Sequence, residues 1–331
     1  MPELPEVETT VEGIKKHLLN LTIKDVWTSY GSKYHLGKKN IKDKKYFLFF
    51  RKQVIGEKII GASRRAKNVL IHLSHGKTML IHMKMTGHLL YGTYEKFPII
   101  NHQIPKKTKT NNLGKEKEKN LKNKKKEMWI AKEPGPLQDP FNRFIRLLFI
   151  LSNKKHLAFS DTRKFGKVFV SDTKEISNLP EFRKLGPEPL EKTFLFKNFE
   201  RALARKPNGK IKQVLMNQEI ISGIGNIYSD EMLWKSDIHP LSTVSKIPIN
   251  ALKNLFLSMK ETLKKGINFG GDSMSDYRNL EGRKGEFQHI HNAYRLTHKK
   301  CKKRGCPGII ERAKIGGRSA HFCPIHQTLY I

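Results

Sequence analysis

The chain runs to 331 residues, 37% of them hydrophobic, enough to bury one large core or two ordinary ones. Its 64 Lys and Arg against 30 Asp and Glu leave a formal net charge of +34, an excess that points to a polyanion, nucleic acid before membrane. No apolar run reaches the ~18 residues of a membrane span and no signal peptide precedes the first helix, so the expectation is a soluble, cytoplasmic protein that is neither membrane-embedded nor secreted. Charge alone leaves a ribosomal or generic RNA-binding protein open.

The first element is a helix. Val7, Val11, Ile14 and Leu18 fall at i, i+4, i+7 and i+11 on one apolar stripe, and Pro2 and Pro5 suit a helix start. Pro2 also admits a chemical reading. Removal of Met1 would make its secondary amine the chain terminus, next to the Glu3 carboxylate. An α-amino group titrates near ~8, so part of it is a neutral nucleophile at physiological pH, and an amine can attack a sugar carbon to form a Schiff base. The proline ring also restricts the geometry of attack.

Short runs rich in β-branched and aromatic residues follow: Ile23 to Tyr30, Lys58 to Arg64, Val69 to Leu73, Met79 to Met83, Phe144 to Leu151 and Lys167 to Val170. Turn residues separate them at the spacing of an antiparallel sandwich or barrel. Among them, residues 106 to 132 hold eleven lysines against three glutamates, the composition of a disordered, solvated insertion or of a phosphate-binding arm. Three turns stand out: Arg65-Ala66-Lys67-Asn68, the stretch His82 to Gly87 with Met85, and Asp161 to Gly166 with Arg163 and Phe165. An apolar or aromatic wedge beside an arginine is a device for entering a base stack. Lys67 is by default a surface residue and Met85 more often core filler, whereas the basic pair, aromatic and glycine of Asp161 to Gly166 have no obvious packing logic.

From about Lys192 the pattern turns helical, through Phe196 to Ala204, Lys212 to Met216, Asn226 to Lys235 and Ile249 to Lys265. Gly223-Ile224-Gly225-Asn226 reads as a tight turn into a helix with Asn226 at the N-cap, and backbone N–H groups at such a start bind phosphate. Gly270 to Phe287 is a polar, glycine-rich loop expected to be mobile. Three cysteines cannot all pair; Cys301-x4-Cys306, sixteen residues, then Cys323-x2-His326 suits a tetrahedral structural Zn2+ site, with His321 a conceivable substitute.

Pro-Glu-Leu-Pro-Glu-Val-Glu-Thr at residues 2 to 9 resembles the N-terminus of formamidopyrimidine-DNA glycosylases, the Fpg branch of a base-excision repair superfamily. The resemblance covers nearly the whole chain apart from roughly residues 95 to 135. It implies an α+β fold with an N-terminal β-sandwich and one N-terminal helix, a helical helix-two-turn-helix domain and a terminal zinc finger, divided at 1–190, 191–290 and 291–331, with the insertion at about 100–133. It implies a monomeric, nucleoid-associated glycosylase and AP lyase acting on damaged double-stranded DNA, with Pro2 as nucleophile and Glu3, Lys67 and Arg318 assisting. Met85, Arg163 and Phe165 would fill the void left by an everted base, Lys212 and Asn226 would contact DNA, and the loop 270–287 would close over the base.

The chain departs from the family in three places. Its first metal pair is spaced by four residues where two are usual, its fourth ligand is histidine where cysteine is usual, and Phe144 or Arg146 stands near where the family often has a DNA-contacting histidine. Two rivals remain at this point. The endonuclease VIII branch, specific for oxidised pyrimidines, usually has glycine where this chain has Leu4. A catalytically silent nucleic-acid binder would have no need of Pro2, Glu3 and Lys67.

Overall fold

The structure, a computed structural model, describes residues 1–98, 127–274 and 276–331. The predicted stripe forms helix α1 (Leu4–Leu18), and Val7, Val11, Ile14 and Leu18 are all buried. They share a core with two four-stranded antiparallel sheets. One sheet has the order β1 (Ile23–Thr28), β8 (Ile145–Leu151), β9 (His156–Ser160), β5 (His88–Gly92). The other has the order β10 (Lys167–Asp172), β4 (Lys77–His82), β3 (Asn68–Leu73), β2 (Ile59–Arg65). Alternate residues such as Val69, Ile71 and Leu73 turn inward, while Leu70, Leu80 and Phe169 turn outward under Ile176 and Phe182, the latter on the short helix α3 (Pro180–Arg183). Burial on both faces explains why these strands read as continuous apolar runs.

The sandwich departs from expectation in three places. A second helix, α2 (Lys44–Val54), corrects the reading of a single N-terminal helix. Asp43 caps it by accepting from the Tyr46 N–H, and Phe47, Phe50 and Val54 face the core at i, i+3 and i+7. Strands β5 and β9 are not among the apolar runs read from the sequence, although each adjoins a turn that is, His82 to Gly87 before β5 and Asp161 to Gly166 after β9. The lysine-rich stretch is not loop to its end: Glu127–Ala131 is strand β7, paired with β6 (Tyr94–Pro98), and Trp129 is buried against Trp27. The remainder of that stretch, 106–126, lies outside the described residues.

A second core holds helices α4 (Phe196–Ala204), α5 (Ile211–Met216), α6 (Asn226–Lys235) and α7 (Ile249–Asn268) around Phe199, Leu215, Tyr228, Met232, Phe256 and Leu263. Leu4 belongs to this core, whereas Val7 onward belongs to the sandwich. The first turn of α1 therefore crosses the seam between the two bodies, which places Pro2 and Glu3 there. The chain ends in a hairpin, β11 (Glu311–Ile315) and β12 (Arg318–Phe322), above Trp234, Ala293 and Ile310. Among the described residues, no helix is long and apolar enough to cross a membrane.

Candidate active site

At the seam, α1 docks end-on against the start of α6. The Leu4 N–H donates to the Gly223 carbonyl at 3.0 Å, and the buried Glu3 carboxylate accepts from the Ile227 N–H at 2.9 Å. A carboxylate at a helix N-terminus meets unpaired N–H groups and the positive end of the helix dipole. The glycines of the turn make room for it. A Cβ on Gly225 would lie 2.3 Å from Glu3 Cδ, and Gly223, at φ +89°, faces Leu4 with the same lack of space. The helix start expected to bind phosphate is thus occupied by the protein's own anion. Gly225 is the N-cap and Asn226 the first helical residue, so the cap falls one position earlier than read from sequence; the Asn226 Oδ1 is buried without a hydrogen-bond partner.

Pro2 is buried beside this contact and Met1 is exposed. Lys67, from the turn between β2 and β3, is also buried, and its Nζ donates to the Ile224 carbonyl at 2.8 Å. Burial lowers its pKa, Glu3 and Glu6 pull it back up, and Arg318 pushes it down again. Glu3 and Arg318, both distant from Lys67 in sequence, therefore lie near enough to act on its charge, with Pro2 adjoining Glu3 and Arg318 exposed at the tip of the terminal hairpin.

Sequence reasoning missed Glu6. It is buried, with Oε2 accepting from the Glu3 N–H at 2.7 Å and Oε1 from the Tyr228 hydroxyl at 2.6 Å and the Asp272 N–H at 2.7 Å. Burial first, and the neighbouring Glu3 second, push its carboxyl up to about 7. Because the folded pKa lies above the ordinary 4.5, this group contributes stability fully below pH ~4.5, and that contribution, on the order of 3 kcal/mol, is lost as pH rises through 7. Thermal melts between pH 5 and 8 should show this slope in the wild type and its loss in Glu6→Gln, whatever the absolute cost of the substitution. The available signal was position: Glu6 stands three residues after Glu3, the capping-box spacing. His82 is a second omission; burial and then Lys84 hold its pKa down at about 3, so a neutral imidazole stands near Lys67.

The turns bearing Met85, Arg163 and Phe165 lie at the same end of the sandwich as Lys67, since Asn68 and Lys167 both pair with His82. Asp161, not singled out from sequence, ties them together. It accepts from Thr86 Oγ1 at 2.7 Å, the Tyr30 hydroxyl at 2.8 Å and the Gly166 N–H at 2.8 Å. Both turns rest on the Phe159 ring, which comes within 2.5 Å of a Cβ placed at Gly87 and within 2.4 Å of one at Gly166. On this support Met85 is half-buried, Arg163 is exposed with its guanidinium 4.5 Å from the Phe165 ring centre, and Phe165 is 48% exposed. An aromatic left that open is not core filler. Near Phe144, the Arg146 Nε is tied to the Asp161 carbonyl at 3.1 Å.

Lys212 corrects its expectation. It is fully buried, ion-paired with Asp230, and bonded to Ser229 Oγ at 3.2 Å, so its ammonium does not face a phosphate. Asp230 in turn accepts from both the N–H and Nδ1 of His321, at 3.0 and 2.9 Å. That pairing removes His321 from the candidate metal ligands and fastens β12 to α6. Glu231 performs a similar task, accepting from the N–H groups of Asn292, Ala293 and Tyr294.

The ligand atoms of Cys301, Cys306, Cys323 and His326 all lie within 4.8 Å of one another. Cys301 Sγ is 3.3 Å from His326 Nδ1, and Cys306 Sγ is 3.6 Å from Cys323 Sγ and 3.8 Å from His326 Nδ1. A tetrahedral ion with ligand bonds of about 2.0 to 2.3 Å needs separations of this size, so the four residues fit a metal. His326 Nε2 lies 3.2 Å from the Trp234 carbonyl, the usual outer support of a metal-bound imidazole.

The loop 270–287 is pinned at both flanks rather than loose. Tyr277 is buried with its hydroxyl donating to the Glu6 carbonyl at 3.0 Å, and the Gly285 N–H donates to Ser273 Oγ at 2.8 Å.

These features define an α+β protein with a β-sandwich and a helical body, a buried proline and glutamate near the N-terminus at their seam, and a terminal hairpin beside a Cys/His cluster that could hold a metal. The sequence profile of the Formamidopyrimidine-DNA glycosylase N-terminal domain matches residues 1–168, and that of the Formamidopyrimidine-DNA glycosylase H2TH domain matches residues 185–278. A formamidopyrimidine-DNA glycosylase of Desulforamulus reducens is 31% identical over 98% of both chains, and one of Protochlamydia amoebophila is 31% identical over 99% of both. The Fpg of Lactococcus lactis, solved in complex with DNA containing an abasic site, superposes with a TM-score of 0.75 at 27% identity, covering 98% of this chain and 99% of that one. A mutant of the same protein, solved with Fapy-dG DNA, gives a TM-score of 0.75 over 99% of this chain. The chain belongs to the formamidopyrimidine-DNA glycosylase family.

Proposed function

We propose that this protein is a bifunctional DNA glycosylase and AP lyase of base excision repair that removes oxidised purines from damaged double-stranded DNA. The observation that carries the reading is the convergence of Pro2, Glu3 and Lys67 at the seam, below an open edge bearing Met85, Arg163 and Phe165. With Met1 removed, the Pro2 nitrogen attacks C1′ of the damaged nucleotide and the bond to the base breaks. Glu3 assists opening of the sugar ring, and the amine and C1′ are left as an iminium. Loss of a proton from C2′ then expels the 3′ phosphate by β-elimination, and a second elimination releases the 5′ phosphate. Lys67, its charge weakened by burial, moves protons, while Arg318 holds phosphate.

Such chemistry needs the nucleotide out of the stack, at a cost of a few kcal/mol that is smaller at a damaged pair. Met85, Arg163 and Phe165 occupy the vacated space, Asn226 contacts the backbone, and the loop 270–287 covers the everted base. Zn2+ is the ion best suited to three thiolates and an imidazole, and its part is structural, holding the hairpin that presents Arg318. We take the protein as a monomer working on the nucleoid, with units at 1–190, 191–290 and 291–331.

The test is borohydride trapping on a duplex carrying 8-oxoguanine opposite cytosine, beside one carrying thymine glycol, with loss of Met1 verified by mass. A covalent adduct on the purine lesion is expected. Trapping on thymine glycol alone would move the substrate to oxidised pyrimidines, and no adduct on either, with binding intact, would leave a silent binder.

A further inference from the structure

Arg278 is one of the largest fully buried side chains in the protein, 1% exposed, and its guanidinium reaches across the seam from the loop 270–287 to the sandwich. Nε and Nη2 both donate to Asp139 Oδ2, at 3.2 and 3.1 Å, Nη2 also meets Oδ1 at 3.3 Å, and the group lies 5.1 Å from the Phe141 ring centre. Asp139 is fixed in turn, since its Oδ1 caps the Phe141 N–H at 2.9 Å and its N–H donates to the Pro136 carbonyl at 3.1 Å. A second tie runs beside it. Asn142, bonded to His88 of β5 at 2.8 Å, donates to the Gly282 carbonyl at 3.4 Å, and Gly282 sits so close that a Cβ would lie 2.8 Å from the Pro136 backbone.

The same loop is seated on α1 through Asp272 and Tyr277, both bonded to Glu6, and Arg278 Nη1 donates to the Tyr277 carbonyl at 2.8 Å. With Asp272 held on α1 and Arg278 on the Asp139 segment, the loop is fixed on either side of the exposed Met274. We infer that Arg278 and Asp139 form a clamp that positions this loop over an everted base. Arg278 is thus a positioning residue for base recognition, not a catalytic one. The planar guanidinium makes the fork to Asp139 that an ammonium cannot, and removing the carboxylate leaves a buried cation that must leave its seat to be solvated.

The inference rests on the glycosylase reading, and it separates the two half-reactions. Excision requires the loop to hold a base, whereas strand cleavage at a preformed abasic site has no base to hold. In single-turnover assays on the full-length, metal-loaded enzyme, Asp139→Ala should slow release of 8-oxoguanine on the order of tenfold or more while leaving abasic-site cleavage within about twofold. Arg278→Lys, which keeps the charge and the buried stem, should fall between, and its retained lyase activity reports that the fold is intact. Equal losses on both substrates would make the pair merely structural and overturn the clamp, as would unchanged excision in both variants. A wild-type protein that cleaves abasic sites but excises no base would remove the clamp's function; one that does neither would overturn the glycosylase reading itself.

Discussion

Pro2→Gly should still bind a damaged duplex within about threefold of wild type yet lose borohydride trapping and strand cleavage by at least about 100-fold. Glycine leaves a terminal amine, so the prediction concerns placement as much as chemistry. The proline ring fixes the backbone in a buried seat, one residue before a glutamate locked to the start of α6, and misplacing a nucleophile by about an ångström costs on the order of 10² in rate. Binding survives because the wedge turns, held by Asp161 and Phe159, do not touch Pro2's amine. Trapping yield and gel-shift affinity on the same duplex check both halves, with intact mass confirming that Met1 is gone in each protein. Unchanged cleavage would remove Pro2 as the nucleophile.

Cys323→Ala should lose the metal and most of the DNA affinity together. Among the described residues, the terminal module's buried cluster adds only Trp234, Ala293 and Ile310 to Cys301 and Cys323, beside polar ties to α6 through Asp230 and Glu231. A core that small does not offset the entropy of ordering the hairpin, so metal binding supplies its folding free energy. Release of β12 frees Arg318, and losing its charge-assisted contacts, worth about 1.5 to 3 kcal/mol, weakens binding about 10- to 100-fold. Metal analysis after dialysis and DNA titration test this. Stoichiometric metal retained by the variant would overturn the ligand set, while metal lost with affinity unchanged would detach Arg318 from the phosphates.

Much of this was legible along the chain because it is local. The stripe of α1 shows its period within fifteen residues, and the strands show as short β-branched runs. The Cys/His spacing suits a tetrahedral cluster with His326 or His321 as the fourth member, and the structure gathers Cys301, Cys306, Cys323 and His326. Helix α2 was equally local, marked by Asp43 and by Phe47, Phe50 and Val54, and was missed because its aromatic content matches that of the strands around it.

What the sequence alone determined is the inventory: an amine beside an acid at one end, a Cys/His set able to hold a metal at the other, an aromatic-basic turn between, and the family signature of residues 2 to 9. What only the tertiary structure decided is which charges remain available. Lys212 reads as a phosphate ligand until Asp230 is seen to neutralise it, the Gly-Ile-Gly-Asn turn reads as an anion site until Glu3 fills it, and the polar loop reads as mobile until Arg278 reaches Asp139. The reason is physical. A side chain's charge is covalent and travels with its residue, but its partner, its solvation and hence its pKa depend on residues elsewhere in the chain, 18 positions away for Lys212 and Asp230, 139 for Arg278 and Asp139 and 224 for Glu3 and Ile227, that only folding brings within hydrogen-bond reach.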